Sequence, residues 1–579
     1  MMFGLWAPHT GSSDGPRDTG NLYQGRCYYD RGVSDPPATV EARISSTLGA
    51  VVEERLALAR EQRVAERLRA QDATLWGPPG TPEIADRLGW LTIAERMLDD
   101  LDEVERFARE VSAAAFNDVV LLGMGGSSLA PEVLRRSFGH RDGHPRLHVL
   151  DSTDAATIRA VQAAVEVERT LFIVSSKSGG TIEPLSLFAH FFSLVGDGAS
   201  FAAITDPGSG LEQLARERGF RHVFSGDPDI GGRYSALSPF GIVPAALMGV
   251  DVRPLLEGAA SAWTTPFAGT DGGAESAGVW LGAALSGLAG SGRDKLTFLI
   301  SPTLPGLGLW LEQLVAESTG KHHKGILPVA DEPLGEPGEY GEDRVFAHLP
   351  DIGAPDPDLD AGVRALGEAG HPVITIPTHG PRDLGRIFLL AEIAVAVAGW
   401  GLEINPFDQP NVQQAKDATK RVLADYESQH RLSAPADAEE AALRSLLLGS
   451  APPDYVAIMA YAEPSAELDA AAAELRVAIR RATRATTTFG YGPRFLHSTG
   501  QYHKGGPQVG RFLQLLCDGP QDVPIPGAPY SFTTLKEAQA LGDLDTLRQL
   551  GLPAERVRLG SEDPVGALRA VTASIEEQT

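Results

Sequence analysis

Only two of the 579 residues are cysteine, Cys27 and Cys517. Two cysteines build neither a disulfide framework nor a Cys-based zinc site, and so sparse a usage fits a reducing compartment. Basic residues are also in deficit: 50 Lys+Arg stand against 76 Asp+Glu, a net charge of −26. Nucleic-acid binding needs a basic surface to displace counterions, and a polybasic membrane anchor needs a run of Lys and Arg. Neither is present. Long apolar runs are missing too: FLLAEIAVAVAGWGLEI falls short of a membrane span and carries Glu392 and Glu403. The opening residues, MMFGLWAPHTGSSDGPRDTG, lack the basic and apolar regions of a signal peptide. These absences predict a cytoplasmic protein with neither nucleic acid nor membrane as a partner. With 43% hydrophobic and 22% charged residues the composition is that of a globular chain, long enough for several domains.

What the sequence does hold is an α/β pattern. Residues 1–36, rich in Gly, Pro, Ser and Asp, read as a flexible tail. A helical region over 37–115 follows, in which ATVEARISSTLGAVVEERLALAREQRVAERLRAQ reads as one long amphipathic helix. Over 116–290 short apolar runs (NDVVLLG, RLHVLDS, TLFIVSS, FAAITD, HVFSG) alternate with helical stretches. Strands that are apolar throughout predict a parallel sheet covered by helices on both faces. A second series, beginning at KLTFLISP, fills 291–432, and a smaller α/β segment fills 433–579.

Ligands of open parallel sheets sit beyond the carboxyl ends of the strands. Two turns at such positions have unusual chemistry: Gly123-Met124-Gly125-Gly126-Ser127-Ser128 and Ser175-Ser176-Lys177-Ser178-Gly179-Gly180-Thr181. Small residues, hydroxyls and helix N-termini make a phosphate cradle, and the second turn adds a lysine. A tight connection explains either turn alone; both in one sheet are harder to assign to chance. Ser128 stands where a dinucleotide fingerprint requires Gly, and the Gly-Lys-Ser/Thr of a P-loop is absent.

Further candidates lie downstream. The loop Asp229–Ser235 brings Arg233, a group suited to clamp an anion or stabilise a developing oxyanion. In LEQLVAESTGKHHKG, Gln313 and Glu317 stand one helical turn apart on one face, where a carboxylate facing a sugar can take a proton from carbon. His322 and His323 are adjacent, without an i,i+4 partner, so no metal site is read there. Gln409, in NPFDQ, and Lys416 are about two turns apart. A glycine-punctuated loop over 489–501 carries His497, a residue type that titrates near neutrality. Taken singly, each of these is as well explained as a solvated or capping side chain.

The ordered set is more specific than its members. Gly-x-Gly-Gly-Ser, Ser-Lys-Ser-Gly-Gly-Thr, Gly-Gly-Arg-Tyr-Ser, Gln-x-x-x-Glu-Ser-x-Gly-Lys and Asn-x-Phe-Asp-Gln occur in that order. The chain thereby resembles the glucose-6-phosphate isomerase family, most closely the isomerase half of bacterial transaldolase/glucose-6-phosphate isomerase fusions, over residues 40–579. The resemblance implies two sugar-isomerase (SIS) domains with the site between them, usually at a dimer interface. It implies a metal-independent, cofactor-free aldose–ketose isomerase that interconverts glucose 6-phosphate and fructose 6-phosphate through a cis-enediolate. It leaves a homodimer and a functional link to a transaldolase open. By the same resemblance Ser176, Lys177, Ser178 and Thr181 hold the phosphate, with Gly126 and Ser127 beside them. Glu317 matches the base and Arg233 the residue that stabilises the enediolate. Gln313, Gln409 and Lys416 match sugar-contacting positions, Lys416 also assisting ring opening.

One departure stands out. The family's ring-opening histidine lies between the Glu-Ser-x-Gly and Asn-x-Phe-Asp-Gln motifs. Here that interval holds His322, His323, His348, His371 and His379, none in a matching context. Leu496-His497-Ser498-Thr499-Gly500-Gln501 matches better, so His497 is the expected ring opener and the C-terminal segment is expected to help build the site. Alternative readings are an isomerase of mannose 6-phosphate or of an amino sugar phosphate, and a non-catalytic sugar-phosphate sensor. The sensor has no need of Glu317, Arg233 and Lys416 together.

Overall fold

The computed structural model describes residues 26–27, 40–264, 277–432, 435–517, 519 and 521–577. Apart from Arg26 and Cys27, the segment read as a flexible tail lies outside the described residues. Two short strands come first, β1 (Arg26–Cys27) and β2 (Val40–Arg43). Next come β3 (Asp118–Gly123), β4 (Arg146–Leu150), β5 (Thr170–Ser175), β6 (Phe201–Thr205) and β7 (His222–Ser225). These five form a parallel sheet in the order β4-β3-β5-β6-β7. Every residue of β3, β5 and β6 is buried, as strands covered on both faces must be.

The second sheet combines β8 (Lys295–Ile300), β9 (Leu327–Val329), β10 (Arg344–Leu349) and β11 (Val373–Thr375) with the two early strands, in the order β1-β2-β11-β10-β8-β9. A third, parallel sheet of β12 (Tyr455–Tyr461), β13 (Thr486–Tyr491), β14 (Gly510–Leu516) and β15 (Ala554–Arg558) is ordered β13-β12-β14-β15. The architecture is α/β with three mostly parallel sheets flanked by helices.

The region read as one long helix is corrected at both ends. Val40–Arg43 alternates buried and exposed side chains and pairs antiparallel with both β1 and β11, so it is a strand of the second sheet. Ser45 then caps the helix Ser46–Glu61, and left-handed Arg63 (φ 54°) separates it from the short helix Val64–Arg69. The apolar stretch before Asn405 is the helix Leu384–Leu402. With its leading turn from Gly380 it is long and apolar enough to cross a membrane, yet its most apolar part is almost wholly buried inside the fold. It packs on the helix Ala277–Gly290, where the absence of side chains on Gly278 and Gly282 admits Ile393 and the Ala394 carbonyl.

Candidate active site

The turn after β3 is shaped by glycine. Gly125 has φ +55°, and a Cβ there would stand 2.7 Å from Gln313 Nε2 and 3.0 Å from the His497 carbonyl oxygen. A Cβ on Gly126 would collide with the Gly232 carbonyl. Two bare backbones therefore bring three separate segments into contact, with Ser127 buried among them. Ser128 Oγ donates to Asp151 Oδ2 (3.1 Å), and Arg494 grips the same carboxylate with Nε (2.7 Å) and an Nη (2.8 Å). That bidentate pair fastens the loop bearing His497 to the first sheet.

Arg233 is 1% exposed and every donor direction is used. Nε reaches Ser318 Oγ at 2.8 Å; one Nη reaches Gln409 Oε1 at 2.6 Å and Glu317 Oε2 at 3.3 Å. The other Nη reaches the carbonyls of Pro406 (2.6 Å) and Asp408 (3.0 Å). A guanidinium fixed by five acceptors is a rigid positive centre beside Glu317. Lys321 braces the same turn, its ammonium 2.6 Å from Asp408 Oδ1 and 2.5 Å from the Asn405 carbonyl. Burial draws Lys321 down to about 7 against that pairing.

Glu317 lies on the helix Leu307–Thr319, one turn beyond Gln313. Burial pushes its carboxyl above the ordinary range, while Arg233 and Gln313 oppose the shift. Gln313 Nε2 donates to the His497 carbonyl at 2.7 Å and approaches Glu317 Oε1 at 3.4 Å. One amide thus joins the carboxylate to the histidine loop.

In the turn after β5, Ser176 Oγ donates to Thr181 Oγ1 at 3.1 Å and Ser178 Oγ lies 3.5 Å from the same atom. The three hydroxyls converge on Thr181. Lys177 does not join them with its charge: its ammonium is held by Asp206 Oδ2 (2.6 Å) and the Asp227 carbonyl (2.7 Å). Thr181 instead faces, across a 240 Å³ cavity, Glu183, Lys416, Lys420, His497 and Gln539. Among the described residues Lys416 and Lys420 make no ion pair. They stand one turn apart on the helix Pro410–Gln429.

His497 Nε2 lies 3.0 Å from Glu183 Oε1. Glu183 is 3% exposed; burial would raise its carboxyl, but the His497 imidazole and Lys416 outweigh burial and hold it below the usual range. His348 and His371 serve the second sheet instead, His348 buried on β10 and His371 bonded to the Pro337 carbonyl at 3.0 Å.

The sequence-derived residues Gly126, Arg233, Gln313, Glu317, Gln409 and His497 therefore meet in one network with Ser127 buried next to Gly126, Thr181 and Lys416 line the adjoining cavity, and Ser176 and Ser178 reach it only through Thr181. Sequence reasoning passed over Glu183, Lys420 and Gln539 as site residues. Glu183 had a signal: an acid in the first turn of the otherwise apolar helix IEPLSLFAHFFSLV is buried, and needs a partner. Lys420 repeats Lys416 at i+4. Among the described residues no cluster of three His, Cys, Asp or Glu side chains converges as a metal-binding group.

With this geometry in view, comparisons with known proteins are specific. The family model for phosphoglucose isomerase matches residues 93–324. A glucose-6-phosphate isomerase of Rubrobacter xylanophilus is 30% identical over 414 residues, 62% of this chain and 92% of that protein. One from a Synechococcus species is 30% identical over 59% of this chain and 73% of its own. Among solved structures, a hypothetical protein from Thermus thermophilus superposes with a TM-score of 0.56 at 26% identity, covering 66% of this chain and all (100%) of that one. A glucose-6-phosphate isomerase from Chlamydia trachomatis shares the fold, with a TM-score of 0.55 at 18% identity, over 67% of this chain and 89% of its own. An almost full-length relative at this identity, together with the matched family model, decides the affiliation: the chain belongs to the glucose-6-phosphate isomerase family.

Proposed function

We propose that this protein is an aldose–ketose isomerase that interconverts glucose 6-phosphate and fructose 6-phosphate, with Glu317 as the base. The observation that carries the reading is the buried Glu317 carboxylate, 3.3 Å from Arg233 and linked through Gln313 to the His497 loop.

The chemistry assigns each group a task. The phosphate sits against Ser176, Ser178 and Thr181, with Lys416 and Lys420 supplying charge, and its binding energy places the reacting carbons. Ring opening breaks the C1–O5 bond, delivers a proton to O5 and removes one from the C1 hydroxyl. His497, oriented by Glu183, performs this with Lys416 nearby. Glu317 then takes the C2 proton and negative charge gathers on the enediolate oxygens beside Arg233; the proton on O2 passes to O1, and the proton held by Glu317 returns at C1 to give the ketose. Gln313 and Gln409 hold the hydroxyls. The sparse use of cysteine supports a cytoplasmic setting for this chemistry.

The test is turnover of fructose 6-phosphate by the purified protein with EDTA present, beside mannose 6-phosphate and glucosamine 6-phosphate. Fructose 6-phosphate is expected to give glucose 6-phosphate, and Glu317→Gln to abolish turnover while affinity stays within a few-fold. Normal turnover by Glu317→Gln would remove the base assignment; product from mannose 6-phosphate alone would change the substrate.

A further inference from the structure

The oxygen of Glu183 that meets His497 has a second partner. Gln539 Nε2 donates to Glu183 Oε1 at 2.7 Å, and Thr153 Oγ1 donates to Gln539 Oε1 at 2.7 Å. Gln539 is 2% exposed and Thr153 fully buried. We propose that Gln539 is a positioning residue for ring opening, clamping Glu183 between Thr153 and His497. The proposal rests on the assignment of His497 given above.

The amide has a single workable orientation. A carboxylate only accepts, so Nε2 must face Glu183 and Oε1 must face a donor, which Thr153 provides. Thr153 lies just beyond β4 and Glu183 on the helix after β5, while Gln539 arrives from the helix Phe532–Gln549 of the C-terminal segment. Glu183 is thus fixed at one point between two parts of the fold. Its charge selects the His497 tautomer with the proton on Nε2, leaving Nδ1 as the nitrogen that can exchange a proton with a sugar.

The helix itself is well anchored. Ser531 caps its first turn, and Lys536, one turn before Gln539, pairs with Asp154 at 2.8 Å. It packs along the helix that carries Lys416 and Lys420. The charged groups around the clamp are therefore His497 and Lys416 facing Glu183, Glu317 acting on His497, Lys420 lining the same cavity, and the self-neutralised Lys536–Asp154 pair. Removing the Gln539 amide takes a hydrogen bond from the ionised Glu183 carboxylate, so that carboxyl should rise from its lowered position. It also lets Glu183 turn, and a small misplacement of an acid–base group slows its step by about tenfold to a hundredfold.

Ring opening can be read apart from isomerisation as exchange between the α and β anomers of glucose 6-phosphate, followed by magnetisation-transfer NMR in the Glu317→Gln background. Gln539→Met keeps the length of the side chain and removes the amide. It is expected to slow anomer exchange at least about tenfold, to move the pH profile of exchange upward, and to leave KM within about threefold. Thr153→Val frees the amide to rotate and is expected to produce a smaller change in the same direction; it stands in if Gln539→Met does not fold. Wild-type exchange with an unshifted pH profile in the folded variant would overturn the proposal. So would a loss confined to KM or thermal stability. The base assignment fails separately, through isomerisation by Glu317→Gln itself.

Discussion

Arg233 shows how much a single side chain decides. Its five hydrogen-bond acceptors include Glu317 and Gln409, and the remainder pin it to Ser318 and to the turn of Asn405–Gln409. A lysine offers three donors from one point and cannot span these partners. Arg233→Lys is therefore expected to lower kcat by about a hundredfold to a thousandfold, as loss of an oxyanion donor does. The pH dependence carries a sign. Burial raises the Glu317 carboxyl and Arg233 opposes that rise, so the acidic limb of kcat/KM should lie above the usual carboxylate value of 4.5. Removing the cation in Arg233→Met should move the limb further up, measured from pH 4 to 9; an unmoved limb would uncouple the two residues. These two residues were legible in the sequence because they sit within short motifs whose types are tied to the chemistry. Glu183 showed only as a buried acid in need of a partner and Gln539 not at all, because the contacts that join them to the site span 314 and 356 residues. No local pattern marks a glutamine as the partner of a distant carboxylate.

Among the elements, the helix Leu384–Leu402 holds a comparable surprise. Glu392 is fully buried in it, and neither carboxyl oxygen has a hydrogen-bond partner among the described residues. Burial drives its pKa well up, so the folded protein keeps Glu392 neutral where the unfolded chain ionises it. The folded state then binds the extra proton, and stability falls as pH rises above about 4.5, the unfolded value. Glu392→Met should accordingly raise the melting temperature at pH 7, by about 1–3 kcal/mol of stability, with a smaller gain at pH 4. Equal gains at both pH values would mean that the carboxyl is not titrating. The sequence showed this helix as an apolar stretch interrupted by an acid; it did not show whether the acid faced water or core. The strands of the first sheet were readable because a doubly covered strand is apolar along its length. β2 was not, because its four residues run directly into an amphipathic helix and its strand character depends on β11, about 330 residues further on.

For the molecule as a whole the question is how a chain of net charge −26 attracts a phosphate dianion. The motifs of the sequence carry three cations, Lys177, Arg233 and Lys416, that can reverse the sign locally. The fold has already committed two of them, Lys177 to Asp206 and Arg233 to Glu317. Among the described residues, what faces the cavity unpaired is Lys416 with Lys420, opposite Thr181. Attraction should therefore fall to these two lysines, against a repulsive background that extends as far as salt permits. The Debye length is about 30 Å at 0.01 M salt and about 8 Å at 0.15 M. Lys420 is exposed, so its contribution is strongly screened and should be modest. Lys420→Met is expected to raise KM about threefold to fivefold at 0.01 M salt, with kcat nearly unchanged, and the difference from wild type should narrow at 0.15 M. A Lys177→Met variant gives the contrast: it frees the Asp206 carboxylate instead of removing an available cation, so any loss it causes should come through the shape of the Ser176–Thr181 turn and respond little to salt. Steady-state kinetics of both variants across that range decide between the two. If Lys177→Met shows the steeper salt dependence, the reversal of sign belongs to the turn after β5 and not to the helix Pro410–Gln429.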